Sequence, residues 1–374
     1  MKKNKIDTFF FGIVITLVVI GLITFTSASL GIFAKNEAKF YGVLSGQYIF
    51  GFVGGLIALY IGLKIPYKFL KQYSLLLFII SIILTGLVLV PGIGQSHGGA
   101  KRWIDIFGYS FQPVEFLKIS FIIYFAAWLS WIKVKVKDPL FSILPLVILI
   151  GIIAFVLLKQ PDTKSIILIT ITAMIMLFVS GAPLKFIFGI LGASILLFII
   201  LVTIKPYLKE RVNTFLNPSQ NSHSSSYQLQ QSLIAVGSGG AFGRGLGQSI
   251  QKFNYLPEPQ GDSIFAVIGE EWGFMGTSIL ILIYLAFALR GYRIALRNGP
   301  DAFAKLLVIG FVSIITAQSF MNIASIIGVF PLTGVPLVFI SHGGTALLLS
   351  LGMVGIILNI SRYQGKPILD KTPR

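Results

Sequence analysis

Long apolar stretches alternate with short polar ones through most of this chain. Runs of about 18 apolar residues or more can cross a bilayer as helices. Ten are read near 8–29, 46–63, 73–91, 114–132, 140–158, 165–182, 185–204, 271–289, 302–329 and 336–360. About ten transmembrane helices predict an all-α polytopic membrane protein, a single integral domain over 1–374 without internal repeats. The thinnest separation is the turn at 181–185, and a short tail, 365–374, follows the last span. One segment breaks the rhythm: 205–269, between spans seven and eight, is long and polar, Ser- and Asn-rich at first and Gly- and Pro-rich later. Loops of that length in compact proteins are functional or disordered. The first apolar run follows a Lys-rich tip, but it is long for a cleavable signal core and reads as a retained anchor.

Composition narrows the class. With 55% hydrophobic and 11% charged residues and no Cys, the chain is neither a soluble globular domain, nor disordered, nor framed by disulfides. Its formal charge of +17 suggests nucleic acid or an anionic membrane surface until the charges are placed. With a cytosolic N-terminus and alternating spans, eighteen of the thirty Lys and Arg fall in cytosolic segments. The short outer loops hold only Lys35, Lys39, Lys101, Arg102, Lys159 and Lys164. This asymmetry is the positive-inside signature. It predicts both termini in the cytosol and the 205–269 loop outside. The basic excess is therefore a topology signal, and no nucleic acid is expected as a partner. Carboxylates run the other way: nine of thirteen fall on the outer side, several at span ends. Ionisable groups there need partners or water and are candidates for function.

Two outer clusters stand out. In Gln112-Pro113-Val114-Glu115-Phe116-Leu117-Lys118 the proline suits the first turn of span four. Glu115 and Lys118 then share a helix face and can pair, as a structural tie or as part of an active site. Just before them, Lys101, Arg102 and Trp103 combine two cations with an aromatic of the interfacial type. The second cluster, Pro257-Glu258-Pro259-Gln260-Gly261-Asp262, leads the long loop back to the membrane ahead of Glu270 and Glu271. A carboxylate shielded from water there acquires a raised pKa useful to a general base. An Asp before an apolar run is equally an N-cap signal. The glycines of 237–247 match neither a dinucleotide fingerprint nor a Walker loop. They read as a turn for close backbone approach, with Arg244 giving it a phosphate-facing option. His97, His223 and His342 lack the spacing and partners of a metal site, and adjacent Ser341 and His342 form no triad.

In chain order, Arg102-Trp103-Ile104, Gln112-Pro113-x-Glu115-x-x-Lys118, Gln160-Pro161-Asp162 and Gln231-Ser232 precede the glycine stretch. Pro257-Glu258-x-x-x-Asp262, Glu270-Glu271-x-Gly273 and Pro331-Leu332-x-Gly334-x-Pro336 with Ser341-x-Gly343-Gly344 follow. Together they resemble the motifs of the bacterial SEDS family, which includes FtsW, RodA and a sporulation homologue. The resemblance spans about 7–364, and Gly269-Glu270-Glu271-Trp272-Gly273 looks more like the division-type FtsW branch. It implies a peptidoglycan glycosyltransferase that polymerises lipid II at the outer face of the bacterial plasma membrane during division or elongation. It also implies a class B penicillin-binding protein and other divisome or elongasome membrane proteins as partners. By position, Asp262 matches the family's catalytic carboxylate, and Arg102, Glu115 and Lys118 match residues needed for activity or site integrity. Gln112, Gln160, Asp162 and Glu258 belong to the same motifs, while Arg244 and Lys252 are candidate cations for a pyrophosphate. No cofactor follows from the residues, and a divalent cation is left open.

Three positions depart from the family pattern. Thr163-Lys164 follows Gln160-Pro161-Asp162 where a small apolar residue and Gly are usual; Ser263 stands for a common Phe; His342 stands for Tyr. On this reading Asp262 takes the proton of an acceptor 4-hydroxyl as it attacks the donor's anomeric carbon and polyprenyl pyrophosphate leaves. One base suffices with so good a leaving group. A flippase for the same lipid and a non-catalytic scaffold of the cell-wall complex are the alternative classes.

Overall fold

The computed structural model describes residues 5–97, 100–106, 108–217, 224–253, 255–297 and 301–363. Helix α1 (Thr8–Phe33) starts where the Asp7 carboxylate accepts the Phe10 amide at 2.9 Å. Helices α2 (Glu37–Ser45) and α3 (Gly54–Lys64) join through a π-helical stretch, Gly46–Val53, into one apolar rod. Then come α4 (Tyr67–Gln72), α5 (Ser74–Leu87) and a three-stranded antiparallel sheet of β1 (Gly94–His97), β2 (Ala100–Ile106) and β3 (Tyr109–Phe111). Next are α6 (Pro113–Ile132), a 3-10 turn at Lys133–Lys137, α7 (Pro139–Lys159), α8 (Thr163–Val179) and α9 (Leu184–Ile204). The long polar segment holds α10 (Pro206–Leu216) and α11 (Ser224–Ser238), and α12 (Ile264–Leu296), α13 (Ala302–Ile326) and α14 (Gly344–Ser361) complete the bundle.

Among the described residues, eight helices are long and apolar enough to cross a membrane. Two shorter apolar helices, Ser74–Leu87 and Thr163–Val179, coincide with the remaining predicted spans. The chain is thus a multi-pass membrane protein. Helix α13 is its centre, with 83% of its most apolar window buried, whereas the corresponding window of α9 has none buried. Arg290 pairs with Asp7 at 2.9 Å, and the Asp7 amide donates to the Ser361 hydroxyl at 3.1 Å. The start of α1 and the ends of α12 and α14 therefore meet at one face.

The structure departs from the sequence reading in three places. The α5–α6 connection is a small sheet, closed by a turn in which Gly108 (φ 84) donates its amide to Asp105 at 2.9 Å. Helix α12 begins at Ile264 rather than near 271, so the polar segment that carries α10 and α11 ends sooner than 269. Helix α14 begins at Gly344 rather than near 336, because Phe339 and Gly343, both at positive φ, keep 336–343 out of helix.

Helix α12 is itself broken at Gly273, whose φ of 67° and ψ of −166° are outside any helix. The glycine-rich turn supplies the missing hydrogen bonds. The amides of Phe274 and Met275 donate to the carbonyls of Gly240 and Ala241 at 2.9 and 3.0 Å. The amides of Arg244 and Gly245 donate to those of Glu270 and Glu271, both at 3.0 Å. A Cβ on Gly243 would lie 2.1 Å from the Glu271 carbonyl oxygen, so backbone must meet backbone here. Gly243→Val should cost on the order of 2–4 kcal/mol through that clash and its φ of 80°. It should lower the unfolding midpoint in detergent, whereas Gly237→Ala, with nothing within 4 Å of the added methyl, should leave it within a degree or two.

Candidate active site

Asp262 lies just ahead of α12, on the turn formed by the Pro- and Gly-rich 257–261 stretch. It does not cap the helix: Ser263 holds the N-cap position, and no side chain caps the first turn. Instead, Gln228 of α11 donates through Nε2 to Asp262 Oδ1 at 3.2 Å and to Ser263 Oγ at 2.9 Å. From the central helix, Asn322 Nδ2 donates to the backbone carbonyls of Asp262 and Val335, each at 2.7 Å. One amide group thus joins the start of α12 to the irregular 331–343 segment.

That segment brings cations to the carboxylate. Lys164, in the first turn of α8, donates to the Gly334 carbonyl, and Arg211 of α10 donates through Nη1 to that of Thr333 at 3.1 Å. Gly334 occupies the space between the groups. A Cβ there would lie 3.4 Å from Asp262 Oδ2 and 3.9 Å from both Arg211 Nη2 and Lys164 Nζ. Arg102, presented by β2, donates through Nε to the Gln160 carbonyl at 3.0 Å and through Nη2 to that of Pro161. Gln160 is buried and donates through Nε2 to the Thr85 carbonyl at 2.6 Å. Asp162, also buried, accepts from Ser165 at 2.8 Å on Oδ2, while its Oδ1 has no hydrogen-bond partner. Burial pushes the Asp262 carboxyl above its ordinary pKa, and Lys164, Gln228 and Arg211 pull it back. The first turns of α8 and α12 add the positive ends of their dipoles. A proton-accepting carboxylate therefore sits beside a concentration of positive charge, an arrangement suited to taking a proton while stabilising an anion.

Glu115 and Lys118 form the pair their spacing predicts, at 2.8 Å. Lys118 also donates to Gln318 Oε1 at 2.7 Å, and Gln318 Nε2 donates to the Pro336 carbonyl at 3.2 Å. The pair thus braces the same irregular segment from its inner side. The Gln112 amide donates to Thr345 Oγ1 at 3.3 Å, tying the start of α6 to α14. Glu258, at φ 48°, accepts the Gly261 amide at 2.9 Å on its carbonyl and shapes the turn before Asp262.

Arg244 and Lys252 belong to a different cluster. Lys252 Nζ is buried and donates to Glu271 at 2.8 Å, Ser27 at 3.0 Å and the Gly247 carbonyl at 2.7 Å, which uses all three ammonium hydrogens. Glu270 accepts from Ser249 Oγ at 2.6 Å and the Ile250 and Gln251 amides at 3.0 and 3.2 Å, with Arg244 at 3.4 Å. These two carboxylates organise the turn that repairs α12, and Gly239 and Gly243 of that turn lie against its backbone. Sequence reasoning missed Arg211, Gln228, Gln318 and Asn322. Lys164 stood out there only as a departure from a pattern. Among the described residues no three His, Cys, Asp or Glu side chains converge on one ion.

Residues 7–366 match the cell cycle protein family of FtsW, RodA and SpoVE. This chain belongs to that family. It is 37% identical to "Stage V sporulation protein E" of Bacillus subtilis, over 97% of this chain and 98% of the relative. It is 38% identical to "Probable peptidoglycan glycosyltransferase FtsW" of Trichlorobacter lovleyi, over 93% and 91% of the two chains. A solved chain from a peptidoglycan synthase complex that coordinates polymerization and crosslinking is 25% identical and superposes with a TM-score of 0.78, covering 96% of this chain and 99% of that one. The crystal structure of RodA from Thermus thermophilus, 22% identical, shares the fold with a TM-score of 0.70 over 97% and 98% of the two chains.

Within this FtsW/RodA/SpoVE member, the three departures have structural counterparts at or near the site. Lys164 adds a cation beside Asp262, Ser263 accepts from Gln228, and the His342 ring stacks on Phe25 at 5.8 Å while its amide donates to the Gln260 carbonyl at 2.7 Å. Lys252→Met should leave Glu271 buried without a counter-ion and cost about 3–5 kcal/mol of stability. Adding Glu271→Gln should restore part of that loss, as read by the unfolding midpoint in detergent.

Proposed function

We propose that this chain is a peptidoglycan glycosyltransferase that extends glycan strands from lipid II, with Asp262 as general base. The observation that carries the reading is the meeting of Asp262, Lys164 and Arg211 around Gly334, where no Cβ intervenes. The Asp262 carboxylate takes the proton of the acceptor's 4-hydroxyl as that oxygen forms its bond to the donor's anomeric carbon. The bond from that carbon to the diphosphate breaks, and the electron pair leaves on the phosphate oxygen. Lys164, Arg211 and Arg102 offset the charge that develops there, with the polyprenyl chain lying among apolar helices. The names of the relatives and the similarity to a chain of a polymerising and crosslinking complex support this chemistry, and a class B penicillin-binding protein as partner. The Lys and Arg asymmetry supports an Asp262 site on the extracytoplasmic side of the plasma membrane.

Purified full-length chain with labelled lipid II and its transpeptidase partner should give glycan ladders. Asp262→Asn should lower the rate roughly 100-fold or more; wild-type ladders from that variant would exclude the role. Translocation of lipid II in liposomes without polymer would favour a flippase instead. Lys164→Gln removes a cation that lowers the Asp262 pKa against the effect of burial, so that pKa should rise further. The reaction needs the ionised form, so the acidic limb of the pH–rate profile should move to higher pH.

A further inference from the structure

Lys133, Lys137 and Lys305 line a single cavity of about 450 Å³ at the opposite end of the molecule from Asp262. Helix α8 fixes that geometry: its first turn carries Lys164 and its last residue, Val179, walls this cavity. Leu129 at the end of α6 and Leu306 at the start of α13 supply further apolar wall, so the cavity opens at the level where helices leave the membrane. Among the described residues no acidic side chain lines it and no carboxylate pairs with any of the three lysines. Lys135, between two of them, instead lies over the Phe141 ring at 4.7 Å. Lys133 adopts φ 41° and ψ −107°, a strained conformation for a long side chain. Positive-inside topology accounts for lysines on this face. It does not account for three of them around one cavity with apolar walls. A volume in the range of ligand sites, a cationic rim and an apolar wall together fit an occupant with an anionic head and an apolar body.

We propose that this cavity binds the headgroup of an anionic phospholipid, its phosphate against the three lysines and its glycerol and first acyl carbons against Leu129, Val179 and Leu306. The test is lipid retention by the full chain in detergent, read by native mass spectrometry after addition of phosphatidylglycerol or phosphatidylcholine. The wild type should retain phosphatidylglycerol at least about tenfold better than phosphatidylcholine. Lys133→Gln/Lys137→Gln/Lys305→Gln should weaken phosphatidylglycerol retention roughly 100-fold. Lys5→Gln/Lys64→Gln/Lys68→Gln, which removes the same charge from the same face, should change it less than about threefold. Val179→Trp, which fills the cavity with every lysine in place, should also reduce retention, which covers a triple variant that fails to fold. Equal loss in both triple variants would mean diffuse surface attraction and overturn the proposal. So would equal retention of the two lipids, or full displacement by millimolar inorganic phosphate, which would mark a free-anion site.

Discussion

A helix broken inside a protein leaves backbone groups that need partners, and this fold breaks its backbone twice, at Gly273 and at 331–343. At Gly273 the repair is made by another stretch of backbone, the glycine turn, held in shape by Glu270, Glu271 and Lys252. At 331–343 it is made by side chains: Gln318, Asn322, Tyr284 and Gln47 donate to carbonyls from inside the bundle, and Lys164 and Arg211 donate from the site. Each buried group left unpaired there would cost about 1–3 kcal/mol, so these donors are required by the fold before any substrate arrives.

The same requirement assembles the site. Because Lys164 and Arg211 must reach the carbonyls of Gly334 and Thr333, they are placed beside Asp262 in the free protein. Because Asn322 donates to the carbonyls of both Asp262 and Val335, the backbone at Asp262 is tied to the segment whose carbonyls hold the cations. Charge is thus oriented ahead of the reaction, which is where electrostatic catalysis gains most. The Glu115–Lys118 pair contributes one step removed, through Gln318 and Pro336. Removing either member would leave a buried charge and loosen the same segment.

Much of this was legible in the sequence. The spans follow from length and hydropathy, Glu115 and Lys118 from a helical spacing after Pro113, and Asp262 from its place at a return into the membrane. What was not legible depends on contacts between distant parts of the chain. Arg211 stands in a polar stretch with no local pattern, and only the packing of α10 against Thr333 gives it a role. The glycines of 237–247 announce a close approach, but not that the partner is a helix break some thirty residues on. Hydropathy continues through 336–343 and hides the true start of helix α14, because the backbone leaves helix at Phe339 and Gly343, both at positive φ. Charge alone likewise does not reveal that Lys252 and Arg244 each have a buried carboxylate partner, Glu271 and Glu270.

The central claim is that Lys164, Arg211 and Arg102 hold the diphosphate of the donor while Asp262 faces the hydroxyl of the acceptor. A lipid II analogue with a photoreactive group beside its diphosphate, bound to the full chain in nanodiscs and mapped by mass spectrometry, tests it directly. Adducts are expected within 162–164, 207–211, 260–263 and 331–335. Adducts confined to the middle of the spans, or to the Lys133–Lys137 end of the molecule, would contradict it.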